Sequence, residues 1–448
     1  MKNTAHPYFT VLGIDIGTTG IALAAIDART GGLLEQVHVT NRYETKPGVQ
    51  EAEDIADAVT SALAGLARRH AVAAVGLCGQ MHGILYVDEE GKALSPLYTW
   101  QYQPGDDAWL KQLSERTGHA LAWGYGSVTH AWLAREGLAP ADAAAFCTIA
   151  DYAGMRLAGR RTPLMHASNA HSLGLYDAPS GGWDEAAIAR AGLNTRLFPP
   201  VRPGAALLGQ SAEGFDIAVA IGDNQASFIG SVREPERSVL VNVGTGSQVS
   251  ALAARGSSAP GFRPLNGDDY LTVGSALCGG RAYALLKDFF LSCAELMGGS
   301  IDDEALYAAM NAAGEAALGL PDKLQVTPLF SGTREAPDLR ASIGQISPGN
   351  FTARHLVGGL IEGMAEELHQ LYRQLPARAC PAPDILVGSG GALRQNPALR
   401  KAIEARFGLP VHLPRYREEA AYGAALFACA AAGRAPSLQA AQGLVRYE

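Results

Sequence analysis

Paired cysteines are missing from this sequence. The six present, Cys78, Cys147, Cys278, Cys293, Cys380 and Cys429, are scattered without a Cys-x-x-Cys pair, which disfavours a zinc knuckle or a disulfide framework and fits a reducing compartment. None of the 11 histidines stands in a His-x-x-x-His or His-Glu-x-x-His frame, so a protein-ligated zinc enzyme is not indicated. Runs of like charge are absent as well. With 36 Lys+Arg against 44 Asp+Glu, a net charge of −8, no basic groove for nucleic acid is expected, and a phosphorylated ligand has to be neutralised locally. The start, Met1 to Phe9, has one lysine and no apolar stretch, and the uncharged run 420–433 is too short and too rich in Ala and Gly to span a bilayer. A cytoplasmic protein without membrane or nucleic-acid partners is expected.

What the chain does have is length, apolar residues and glycine. Its 448 residues, 48% hydrophobic, leave room for two or three domains, each with its own core. Among its 52 glycines, two clusters follow β-branched runs. One is Gly13-Ile14-Asp15-Ile16-Gly17-Thr18-Thr19-Gly20 and the other Asn242-Val243-Gly244-Thr245-Gly246-Ser247, with Asp15 and Asn242 in equivalent places. Each reads as a β-hairpin, because a second apolar run follows the turn. Between and beyond them, short strands (73–78, 217–221, 385–388) alternate with helix-like stretches (51–69, 355–371), as in layered α/β domains. The expectation is two related α/β halves, residues 1–235 and 236–448, with 420–441 as a helical core element.

A turn of the Gly-Thr-Thr-Gly kind aims successive backbone N–H groups and hydroxyls at one spot, which suits phosphate oxygens. Asp15 beside it would repel an anion unless a divalent cation lay between, so the pair makes sense as a Mg²⁺-nucleotide site, with the metal often held through water. The other loop carries the neutral Asn242. Either loop alone reads equally well as an ordinary hairpin turn; together they favour phosphate. Neither a Gly-x-x-x-x-Gly-Lys-Ser/Thr loop nor a dinucleotide fingerprint is present, so the nucleotide pocket is of another kind. Gly388-Ser389-Gly390-Gly391-Ala392 before Asn396 is either a shelf for a nucleoside or a plain strand-to-helix turn. Asp223, in Gly222-Asp223-Asn224-Gln225-Ala226 after an apolar strand, is either a helix cap or a general base. Gln80 and His82 of Gly79-Gln80-Met81-His82-Gly83 are candidates for sugar hydroxyls.

Taken together, these motifs resemble the FGGY carbohydrate kinases, in order and over nearly the whole chain. The stretch 13–20 resembles the family's first phosphate motif, 79–83 its sugar loop, 222–226 its base motif, 242–247 its second phosphate motif, 390–396 its adenosine motif and 419–425 its closing Glu-x-x-x-Gly-Ala-Ala helix. The resemblance implies two actin-like (ribonuclease H-like) α/β domains with an interdomain cleft. It also implies ATP and Mg²⁺ as cofactors and a small sugar as partner; a homodimer is compatible with it. Asp223 would be the catalytic base and Asp15 a Mg²⁺ ligand, through water. Gly17, Thr18, Thr19, Gly244, Thr245, Gly246, Ser247, Gly390, Gly391, Ala392 and Asn396 would bind nucleotide. Gln80, Met81, His82, Trp100, Asn169, Asp223 and Asn224 would face the sugar. Subfamily cues at 99–101, 149–152, 161–165, 168–170, Arg334-Glu335-Ala336-Pro337-Asp338 and 341–342 resemble kinases of a ketose, sedoheptulose giving sedoheptulose 7-phosphate first and D-xylulose second. Tyr102 and Pro104 replace an acidic residue and an arginine that many members carry, and His130 stands where relatives often have lysine. An ATP-switched binding protein on the same scaffold is the alternative of another class.

Overall fold

A computed structural model describes residues 9–254, 262–333, 336 and 338–448; the sequence cues at 1–8 and at Arg334, Glu335 and Pro337 lie outside the described residues. By packing, the described chain divides into two units, one within Met1–Glu234, Arg255–Tyr270 and Glu418–Arg446, the other within Pro235–Ala254, Leu271–Arg417 and Tyr447–Glu448.

In the first unit the β-branched run forms strand Thr10–Ile16, buried at every position except Asp15. It pairs antiparallel with Gly20–Asp27 and parallel with Val72–Gly79, so the expected hairpin is present. The sheet runs Leu207–Gln210, Asp216–Ala218, Val72–Gly79, Thr10–Ile16, Gly20–Asp27, Leu33–Thr40, with Ile221–Gly222 also paired to Val72–Gly79. Helix Ala52–Ala67 places Ile55, Val59, Leu63 and Leu66 inward, the spacing of one helical face. The single strand expected over 217–221 is instead two short ones, Asp216–Ala218 and Ile221–Gly222. Between them, the Val219 N–H donates to the Ala206 carbonyl and the Ala220 carbonyl accepts from Asn169 Nδ2, so these groups are satisfied outside the sheet.

Helix Glu419–Ala431 is buried continuously from Ala421 to Cys429, as an apolar-all-round sequence requires. It lies on the Thr10–Ile16 and Val72–Gly79 strands and against helix Asp223–Ser231. Glycine permits this approach: a Cβ on Gly76 would sit 1.9 Å from the Ala424 carbonyl oxygen, and one on Gly423 1.8 Å from that of Ala226. Gly423→Val is therefore expected to destabilise the first unit by about 3 kcal/mol, read as a lower midpoint in urea unfolding.

In the second unit, strands Asp269–Ala276, Ser247–Leu252, Ser238–Val243, Ile385–Ser389 and Val411–His412 lie in that order. Ser238–Val243 pairs antiparallel with the strand after its turn and parallel with Ile385–Ser389. The first unit shows the same local arrangement. Helix Ala353–Gln374 covers this sheet with Val357, Leu360, Ile361, Met364 and Leu368. Among the described residues no helix is long and apolar enough to cross a membrane.

Candidate active site

The first glycine turn is closed by Gly17 N–H donating to the Gly20 carbonyl at 2.9 Å. Each of its next three carbonyls meets a donor. Asn41 Nδ2 donates to Gly17 O at 3.0 Å, Gln50 Nε2 to Thr18 O at 2.8 Å and the Asn41 N–H to Thr19 O at 3.0 Å. Trans peptides set C=O and N–H on opposite edges, so the N–H groups of Thr18, Thr19 and Gly20 point away from these anchors. Gln80 Nε2 steadies Gln50 at 2.9 Å, and the Trp100 indole N–H donates to Thr18 Oγ1 at 3.0 Å, leaving the Thr18 hydroxyl proton to donate elsewhere.

Asp15, at the C-terminal end of its strand, is recessed beside Cys78, whose Sγ donates to Oδ1 at 3.5 Å. Burial first, then the charge of Asp223, raises its pKa to about 7, against the Cys78 hydrogen bond; Glu418 adds a smaller push upward. Asp223 is the first residue of helix Asp223–Ser231. Burial raises it to about 6, opposed by the Asn224 N–H on its Oδ1 at 2.7 Å and by the Arg263 charge. Two recessed carboxylates, the charge of Asp223 adding to the cost of ionising Asp15, suit a divalent cation. Among the described residues no group of three or more His, Cys, Asp or Glu could hold a metal. The Asp15 and Asp223 carboxylates are the kind of donors that an ion such as Mg²⁺ takes, one or two at a time, completing its shell with water and phosphate oxygens.

The other residues expected at the sugar divide into two groups. His82 stacks on Tyr125, centroids 5.2 Å apart, with Nδ1 2.6 Å from the Ser172 carbonyl. That bond makes Nδ1 the donor to the Ser172 carbonyl. Asn224 Oδ1 accepts from Arg263 Nη1 at 3.0 Å. Trp100 is 46% exposed, while Gln80 and Met81 are almost wholly enclosed. Asn169, expected on the sugar wall, lies inside the fold at 1% exposure, its Nδ2 donating to Asp151 Oδ1 and the Ala220 carbonyl. His130 is a packing residue: Tyr86 Oη lies 2.8 Å from its Nδ1, Phe146 and Phe198 flank it, and burial lowers its pKa to about 4.

In the second unit the Gly244–Ser247 turn is anchored in the same manner as the first. Gly280 N–H donates to Gly244 O at 2.8 Å, and Gly279 and Arg281 N–H to Thr245 O at 3.0 and 3.1 Å, which sends the N–H groups of Thr245 and Gly246 to the opposite edge. Asn242 Nδ2 donates to Ser389 Oγ at 2.7 Å, tying this hairpin to the Gly390 shelf. Gly390 has φ +89°, and a Cβ there would lie 2.4 Å from the Val243 carbonyl, so only glycine fits. Beside Gly391, a Cβ would meet nothing within 4 Å, which leaves the shelf open at that point; Ala392 follows on helix Gly391–Gln395. Asn396 is an N-cap, its Oδ1 accepting from Leu399 N–H at 3.0 Å with Pro397 next.

Sequence reasoning missed Asn41, Gln50 and Arg263, which reach the site from 24, 32 and 39 positions away. Isolated polar residues carry no periodic signal, so nothing in the pattern marks them. The Gly279-Gly280 pair before an apolar helix was a readable signal for the second anchor.

Comparison with known proteins agrees with these motifs. Residues 10–230 match the N-terminal domain, and 239–432 the C-terminal domain, of the FGGY family of carbohydrate kinases. The chain belongs to that family. It is 29% identical to sedoheptulokinase of Mus musculus over 471 residues, covering 93% of this chain and 96% of that protein. The human sedoheptulokinase is 28% identical with the same coverage, and a xylulose kinase of Streptomyces coelicolor is 26% identical over 93% of this chain and 86% of its own. Among solved structures, xylulose kinase from Rhodospirillum rubrum superposes with a TM-score of 0.84 at 21% identity, covering 98% of this chain and 93% of that one. The fold is thus the two-domain α/β architecture of the FGGY sugar kinases.

Proposed function

We propose that this sugar kinase transfers the γ-phosphoryl group of ATP to a primary hydroxyl of a ketose, with sedoheptulose as substrate and sedoheptulose 7-phosphate as product. The observation that carries the phosphoryl-transfer reading is the recessed Asp223 carboxylate at the start of its helix, in the same unit as Asp15. The sugar assignment is supported by the two sedoheptulokinases, similar over nearly the full length.

In this reading Asp223 accepts the proton of the attacking hydroxyl; with a pKa near 6 it is ionised at neutral pH yet basic enough to act. The outward N–H groups of Thr18 and Thr19, with the Thr18 hydroxyl held by Trp100, bind phosphate oxygens, as do those of Thr245 and Gly246 with Ser247. Gly17, where a Cβ would sit 3.0 Å from the Gly20 carbonyl oxygen, lets the first turn close, Gly244 begins the second, and Gly390, Gly391 and Ala392 receive the nucleoside, with Asn396 capping the helix behind them. A divalent ion at Asp15 would supply positive charge to the transferring group. Gln80, Met81, His82, Trp100 and Asn224 orient the sugar.

Because the base must be unprotonated, kcat/KM is expected to fall tenfold per pH unit below about 6 and to level off above it. A pH profile at saturating Mg-ATP checks this. The test of the assignment is a coupled ADP-release assay across sedoheptulose, D-xylulose, D-ribulose, L-ribulose, gluconate and glycerol. Sedoheptulose is expected to give the highest kcat/KM. A higher value for D-xylulose would replace that sugar with the second reading, favoured by similarity to xylulose kinases, and ADP release independent of any sugar would point to an ATP-switched binding protein.

A further inference from the structure

Ser168 and Asn169 are adjacent in helix Ala167–Leu173 and are both buried. Each holds one backbone group of the segment that ends at Asp223. Ser168 Oγ accepts the Gly222 N–H at 2.9 Å, and Asn169 Nδ2 donates to the Ala220 carbonyl at 3.2 Å. The two bonds bracket Ile221, the residue at which the strand resumes after the break at 219–220. Their own positions are fixed in turn. Ser168 Oγ lies 2.8 Å from His166 Nδ1, which also accepts the Ser168 N–H, so the hydroxyl donates to that ring nitrogen and its oxygen is left to accept from Gly222. Asn169 Nδ2 is shared with Asp151 Oδ1 at 3.2 Å, while Asp151 Oδ2 accepts from Thr148 Oγ1 at 2.7 Å and from the Thr148 N–H at 3.3 Å, the latter one half of a capping box at the start of helix Ile149–Leu157.

A ladder bond would have satisfied the Ala220 carbonyl without a buried amide, so two enclosed polar side chains on these atoms need a reason beyond satisfaction. The reason that fits is aim: the Asp223 side chain leaves the backbone one residue after Gly222, and tilting that peptide swings the carboxylate. We propose that Ser168 and Asn169, steadied by Asp151, are positioning residues that fix the direction of Asp223. The proposal rests on Asp223 being the base of a sugar kinase.

The test uses the full chain with Ser168→Ala and Asn169→Ala. Both are expected to lower kcat by about 10- to 100-fold while KM for sugar and for Mg-ATP stays within about twofold. In Ser168→Ala without ligand, the Gly222 amide is expected to exchange with deuterium about tenfold faster while amides of the Thr10–Ile16 strand keep their rates. Asp151→Asn, which keeps the shape and an acceptor oxygen for Asn169, is expected to hold kcat within about threefold of the parent; Asp151→Ala should lose as much as Asn169→Ala. A kcat within about twofold of the parent in Ser168→Ala, unchanged exchange at Gly222, or faster exchange throughout the first unit would overturn the proposal. A parent chain that phosphorylates no sugar would instead overturn the reading of the site, and the exchange data would still decide whether the segment is pinned.

Discussion

Asp223→Asn is expected to lower kcat by roughly 10²–10⁴-fold while binding of Mg-ADP stays close to that of the parent. The asparagine keeps the shape and can still accept the Asn224 N–H that meets Oδ1 at 2.7 Å, so the start of its helix is preserved. It cannot take a proton. The low-pH limb near 6 should disappear with the carboxylate, since that limb belongs to this group. Steady-state kinetics and calorimetry with Mg-ADP make the comparison. A variant turning over within tenfold of the parent, with its limb intact, would remove Asp223 from the chemistry.

Asp15→Asn should act in opposite directions on activity and stability. Phosphoryl transfer is expected to drop about a hundredfold or more, because the charge that would hold the cation is gone. Folding should gain. A carboxylate whose folded pKa is raised from 3.8 to about 7 contributes fully below pH 3.8, and its contribution is lost as pH rises through 7. At pH 8 without nucleotide the parent carries the full cost of that ionisation and the asparagine does not. The melting temperature of the variant at pH 8 should therefore exceed the parent's by about 2–4 °C, and the gap should close toward pH 4. A variant less stable than the parent at pH 8 would show that the carboxylate is satisfied by the protein itself.

Much of the frame was legible because it is periodic. The β-branched runs before Gly17 and Gly244 form the two hairpins, and the stretches read as helices at 51–69 and 355–371 are Ala52–Ala67 and Ala353–Gln374. The break at 219–220 was not, because five apolar residues in a row look the same whether or not a side chain from position 169 captures a carbonyl. Nor was the placement of Glu419–Ala431 with the first unit: a helix apolar on every side has no face from which a partner can be inferred. In the site, glycines and acids at strand ends were conspicuous, whereas their supports at Asn41, Gln50 and Arg263 depend on contacts that only folding creates. The N-cap role of Asn396 was also open to reading, since Asn followed by Pro is the ordinary start of a helix.

The helix Glu419–Ala431 also governs how the polypeptide is made. Translation delivers this segment only after nearly all of the second unit, so the sheet it covers has to wait for it while the ribosome is still at work. During that interval the faces of Thr10–Ile16 and Val72–Gly79 are open to wrong neighbours. Synthesis that stalls before residue 419 should accordingly yield a nascent product prone to clumping, even though 418 of these 448 codons have been read correctly.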